Sequence, residues 1–189
     1  MDDYFAGQFL SLKAEIQTAP CYFAHPKRKL VHHGSLADGQ HAQIAKNSAM
    51  APWTREDLLA FLNQMLEAER AGARALMHVA KDTKHEDVAA LAGAIQKDEA
   101  RWCAMLIGQI KKLDAAPSEK TGAFYDKVMA LDDDKERLAL VNRGQDWVVR
   151  KLKEALPRIG DADLVRELTV MLTSHEENIA AVADSGLIG

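Results

Sequence analysis

Residues 96–110 read "QKDEARWCAMLIGQI", and the position of Glu99 in them decides how the chain is read. Wound as a helix, Ile95, Trp102, Cys103, Leu106 and Ile110 share one side, and Glu99 falls on the same apolar stripe. A carboxylate on a buried face is expensive unless something pairs with it or uses it.

Three more segments repeat the pattern. Along residues 54–80, Leu58, Leu62, Met65, Gly72 and Leu76 form a stripe that includes Glu69, which predicts that Glu67, Asn63, Arg70 and Arg74 face water. Further on, Leu138, Val141, Val148, Val149 and Leu152 bracket Gln145. Leu164, Leu168, Met171, Leu172, Ile179 and Val182 bracket His175. Each helix therefore carries one polar residue on its inner face.

The punctuation bounds these helices. Thr54 with Asp57 has capping-box spacing, with Trp53 placed to staple onto Leu58, and the helix runs to about Ala80. Thr83 with Glu86 repeats the spacing for a second helix ending near Leu113. A third starts at Asp133 and Glu136 and stops at Pro157; a fourth starts near Asp161 and ends at "DSG", with Gly186 as its cap. Short turns near residues 83 and 159 make each pair an antiparallel hairpin. Residues 114–132, even with "FYDKVMAL" as a turn or two of helix, are long enough to run the length of a helix of about 37 Å. Measured from the turns, Glu69 and Gln145 each lie 14 residues before one, and Glu99 and His175 each lie 16 after one. The four polar residues are predicted to meet at one level, about 21 to 24 Å from the hairpin tips.

Composition agrees with an all-α chain: aromatics are 6%, and no β-branched run alternates with period two. The formal net charge of -4 argues against nucleic acid and anionic membranes as partners. The N-terminus "MDDYFAGQFL" lacks a basic leader, and no apolar run is long enough to cross a bilayer, so a cytoplasmic protein is expected. Cys21 and Cys103 are read as thiols.

The runs "EAERAGARAL" (67–76), "DEARWCAML" (98–106), "NRGQDWVVRKLKEALPRI" (142–159) and "SHEENIA" (174–180) resemble the ferritin-like superfamily, in particular an uncharacterised bacterial group of ferritin-like domains. The resemblance covers about residues 54–185 and implies a ferritin-like four-helix bundle, two antiparallel hairpins joined by a long crossover. Members with a di-iron site place a Glu on one helix and Glu-x-x-His on the next, in each hairpin. Glu69 and Glu99 match the first two carboxylates. Trp102 stands where the first histidine would be, Gln145 replaces the third-helix carboxylate, and Leu172 stands three residues before His175. The remaining set, Glu69, Glu99, His175 and Gln145, offers N and O ligands for one ion of iron, manganese or zinc rather than two. By resemblance, the chemistry would be oxidoreductase-type, on oxygen or peroxide. The other reading is a metal-free helical scaffold or interaction module, in which a protonated Glu99 or Glu69, or a carboxylate paired with His175, forms a buried polar layer that sets register.

Other patterns carry less. "SHEEN" has Ile179 where a zinc-protease helix needs its second histidine. Ser174, His175 and Glu176 are successive on a helix and point apart. Cys103 is one turn from Glu99 and reads first as a small hydrophobe. His78 and His85 read as surface residues. Residues 1–50 form an N-terminal extension with Cys21, His25, His32, His33 and His41 around "HPKRKLVHHG"; Cys21 and His25 are half of a zinc spacing. "YFAGQFLSLKAEI" reads as a short amphipathic helix, and a homodimer through the arm or the helices is the expected assembly. Residues 51–189 are the bundle.

Overall fold

The computed structural model describes residues 51–188; the readings of the N-terminal extension, with Cys21, His25, His32, His33 and His41, lie outside the described residues. Those residues are helical and contain no strand. Helix α1 spans Arg55–Asp82 and α2 spans Glu86–Lys112. The short α3 is Phe124–Met129, α4 is Asp134–Ala155, a 3-10 turn covers Leu156–Arg158, and α5 is Ala162–Asp184.

The starts follow local chemistry. Thr54 caps α1 in a reciprocal box with Asp57, and the Trp53 ring packs on Phe61 at 5.0 Å. Asp133 and Asp161 each accept two backbone N–H groups at the starts of α4 and α5. The second box is a correction. Thr83 ends α1, its hydroxyl accepts from the His85 N–H at 3.2 Å, and the exposed His85 precedes α2 without a side-chain cap. The hairpin is too tight for Thr83 to serve both as the end of one helix and as the cap of the next. After α5, Gly186 takes the left-handed conformation, φ 66°, that ends a helix at little cost to glycine.

The two hairpins are antiparallel. Arg55 at the start of α1 bonds the Leu113 carbonyl after α2, and only short loops join α1 to α2 and α4 to α5. The pairs pack α1 beside α4 and α2 beside α5. The Trp53 N–H donates to the Arg158 carbonyl, so α1 and α4 run in opposite directions; Gln109 bonded to Glu167 and Ser174 to Asp98 show the same for α2 and α5. It follows that α1 is parallel to α5, and α2 to α4.

The crossover reverses one expectation. Asn63, Glu67, Arg70 and Arg74 do not simply face water; they hold the connection along α1. Asn63 accepts the Ser118 N–H at 2.7 Å, Glu67 accepts the Ser118 hydroxyl, and Arg70 donates to the carbonyls of Ser118 and Lys120 at 2.9 and 2.5 Å. Arg74 lies over the Tyr125 ring at 4.5 Å, and His78, its side chain about a third exposed at the surface, meets the same ring at 5.7 Å. The contacts on α1 advance from Arg55 to His78 while the crossover advances from Leu113 to Tyr125, so it runs parallel to α1 for most of its length. The core between the four long helices is aliphatic, with Leu62, Met65, Leu66, Leu106, Leu138, Leu168 and Met171 fully buried.

Candidate functional site

All four polar residues singled out in the sequence are buried: Glu69, Glu99, Gln145 and His175 are 2, 4, 2 and 1% exposed. The structure does not, however, bring them to one point. Side chains on a helix tilt towards its N-terminus, so residues at one level on antiparallel helices lean apart. Glu69 on α1 and His175 on α5, whose helices are parallel, lean the same way and meet: Nε2 is 3.2 Å from Glu69 Oε1. Glu99 on α2 leans the other way, onto Gly72, one turn along α1 from Glu69. A Cβ built there would lie 2.1 Å from Glu99 Oε2 and 2.8 Å from its carboxyl carbon.

Protons are shared unevenly across this layer. His175 Nδ1 is 3.0 Å from the Met171 carbonyl, which can only accept, so Nδ1 carries a hydrogen. Burial works against a charged imidazole, but the Glu69 charge and hydrogen bond, the Met171 carbonyl and the Asp98 charge outweigh it and raise the His175 pKa above the ordinary 6.5. The protonated ring then donates Nε2–H to Glu69. Glu99 has no such partner. Burial first, and then the charges of Glu69 and Asp98, hold its pKa well above the ordinary carboxylate range, which favours the neutral acid.

Several polar atoms are left over. Glu69 Oε2, Glu99 Oε2 and both amide atoms of Gln145 are buried with no hydrogen-bond partner among the described residues. Trp102 Nε1 and Asn142 Oδ1, one helical turn from Glu99 and Gln145 respectively, are in the same condition. Each such group costs about 1–3 kcal/mol, so a cluster of them in a core needs a reason. Cys103 is half-buried near the layer; burial, then the Glu69 charge, push its thiol up to about 12, which makes it a poor nucleophile.

Asp98 escaped the sequence reading. Its Oδ2 accepts from Ser174 Oγ at 3.1 Å and from Asn178 Nδ2 at 3.3 Å, and Arg101 stands 3.5 Å from Oδ1. Only its place beside Glu99 could have hinted at this. The Gly72 cradle had a clearer signal, a glycine three residues after Glu69 on the apolar stripe.

Among the described residues no group of three or more His, Cys, Asp or Glu side chains stands ready to hold a metal ion. Glu99 rests against Gly72, while Glu69 and His175 bond each other.

The model of a domain of unknown function, DUF6306, matches residues 56–184, from the first turn of α1 to the end of α5. The chain belongs to that family. No curated protein and no solved structure matches it. The family match spans all four helices of the polar layer, and no helix of the described residues is long and apolar enough to cross a membrane.

Proposed function

We propose that this member of the family is a ferritin-like four-helix bundle whose core layer binds a single divalent cation, iron, manganese or zinc, through Glu69, Glu99 and His175, with Gln145 beside them. The fold half of this reading is supported by two antiparallel hairpins joined by a crossover that runs parallel to α1, the connectivity of that superfamily. The observation that carries the other half is the set of buried atoms without partners, of which two are carboxylate oxygens on different helices.

The donor chemistry fits one ion. Two carboxylates neutralise a divalent charge, and a histidine whose Nδ1–H is tied to a backbone carbonyl presents Nε2 as a nitrogen donor, as metal-binding histidines commonly do. It does not fit two ions, because Trp102, Gln145 and Leu172 supply neither carboxylate nor imidazole. A bound iron or manganese ion would supply reactivity towards oxygen or peroxide. The chain's own residues hold the protons that a cation must displace, one on Glu99 and one between Glu69 and His175, so affinity should rise with pH.

Metal analysis of the protein, purified without a histidine tag and reloaded with iron(II), manganese(II) or zinc(II), tests this. We expect about one equivalent in the wild type and loss in Glu69→Gln, Glu99→Gln and His175→Ala. A wild type that takes up none of the three ions, with a thermal midpoint that none of them moves, overturns it. The Glu69–His175 bond favours the second reading, a metal-free layer that closes on itself and fixes helix register.

A further inference from the structure

Glu99 and His175 sit on α2 and α5, helices that no short loop joins, so something across that seam must fix the height and rotation of one against the other. Apolar packing does this only loosely, because it is non-directional. Among the described residues three side-chain hydrogen bonds cross the seam, at two levels that are in register. Gln109 bonds Glu167 near one end, and eleven residues away on each helix Asp98 bonds Asn178 and, one turn earlier on α5, Ser174. Asp98 immediately precedes Glu99, and Ser174 immediately precedes His175. The carboxylate is divided between tasks: Arg101 faces Oδ1, which leaves Oδ2 to accept both α5 donors. Ser174 is itself buried, so its hydroxyl has little water to turn to.

We propose that Asp98 is the positioning residue of the polar layer: its clasp on Ser174 and Asn178 sets the rotation of α5 and so aims the His175 ring at Glu69. A side chain one residue away on a helix is displaced by about 100°, so a small rotation of α5 moves the ring sideways out of line with Glu69 while leaving the apolar stripe buried. The inference concerns the same layer as the cation reading but does not need a cation to be correct.

The test compares Asp98→Ala, which removes the clasp, with Asp98→Asn, which keeps an oxygen to accept from Ser174 and Asn178 but removes the charge. Two readouts are taken on the full chain: manganese(II) affinity, and the Nε2–H signal of His175 in a nitrogen-15 spectrum, visible while Nε2–H stays bonded to Glu69. We expect Asp98→Ala to weaken manganese binding by about tenfold or more and to broaden the His175 signal, with Asp98→Asn close to wild type in both. Asp98→Ala that lowers the thermal midpoint but leaves both readouts unchanged would make the contact merely structural and overturn the proposal. Asp98→Asn as impaired as Asp98→Ala would assign the effect to charge and overturn it as well. If the wild type binds no manganese, the cation reading fails separately, and the His175 signal decides the clasp: lost in Asp98→Ala and kept in Asp98→Asn supports it, unchanged in Asp98→Ala sinks it.

Discussion

Gly72 and Glu99 make one joint. Alanine is the better helix former by about 1 kcal/mol, yet the methyl of Gly72→Ala would overlap the buried Glu99 carboxyl and force it to shift. We expect Gly72→Ala to destabilise by about 1–3 kcal/mol. Gly93→Ala and Gly108→Ala, with nothing within 4 Å of the added carbon, should instead be neutral or stabilising by up to about 1 kcal/mol. Urea denaturation of the three variants measures this directly, and three similar values would remove the Gly72 cradle. The charge state of Glu99 is a second residue-scale matter. Its unfolded pKa is about 4.5 and its folded pKa is raised, so above pH 4.5 the native state holds a proton that the unfolded chain has released. The stabilisation this gives is complete below pH 4.5 and is lost as pH rises towards the folded value, by up to about 1.4 kcal/mol per unit. His175 has the same sign in a later window: its contribution is complete below 6.5 and lost as pH rises through its raised folded value. Glu99→Gln, a neutral isostere, should therefore be close to wild type in stability, while flattening the decline that begins near pH 4.5 and leaving the one that begins near 6.5. Glu99→Ala should cost about 1–3 kcal/mol. A Glu99→Gln protein whose stability follows the wild-type pH curve throughout would show that Glu99 is ionised in the fold.

Among the elements, the crossover is the one whose placement rests on polar contacts. Three side chains of α1 satisfy Ser118 completely: Asn63 takes its N–H, Arg70 its carbonyl and Glu67 its hydroxyl. Arg70→Ala strands the half-buried Ser118 carbonyl, leaves that of the exposed Lys120 to water, and should cost about 1 kcal/mol. Hydrogen exchange is expected to rise in residues 115–123, with α1 and α2 still protected; exchange that rises equally in all three would mean the crossover is integral to the hairpin instead. The helices themselves were legible beforehand, because Thr54, Asp133 and Asp161 cap in the way their spacing dictates. The polar face of α1 was not. Asn63, Glu67, Arg70 and Arg74 look like solvated residues in sequence, since nothing in a helical period distinguishes a side chain that meets water from one that meets a returning strand of backbone.

At the scale of the molecule, Pro52–Gly189 form a compact unit with their own caps and core. Protein beginning at Ala51 should therefore stay helical and unfold cooperatively; circular dichroism during thermal melting checks it, and a molten or insoluble product would give residues 1–50 a part in the core. The sequence by itself determined that there are four long helices, that a long segment separates two hairpins, and that Glu69, Glu99, Gln145 and His175 turn inward, because caps, periodicity and loop length are all local properties of a chain; it did not give the start of α2 or the burial of Gln109 and Ser174. Only the tertiary structure decided how those four residues pair. Helices that share a direction tilt their side chains the same way and those that oppose tilt them apart, so Glu69 meets His175 while Glu99 settles on Gly72. The same assembly set Asp98 against Ser174 and Asn178, a contact between residues 76 and 80 positions apart that no spacing along the chain encodes.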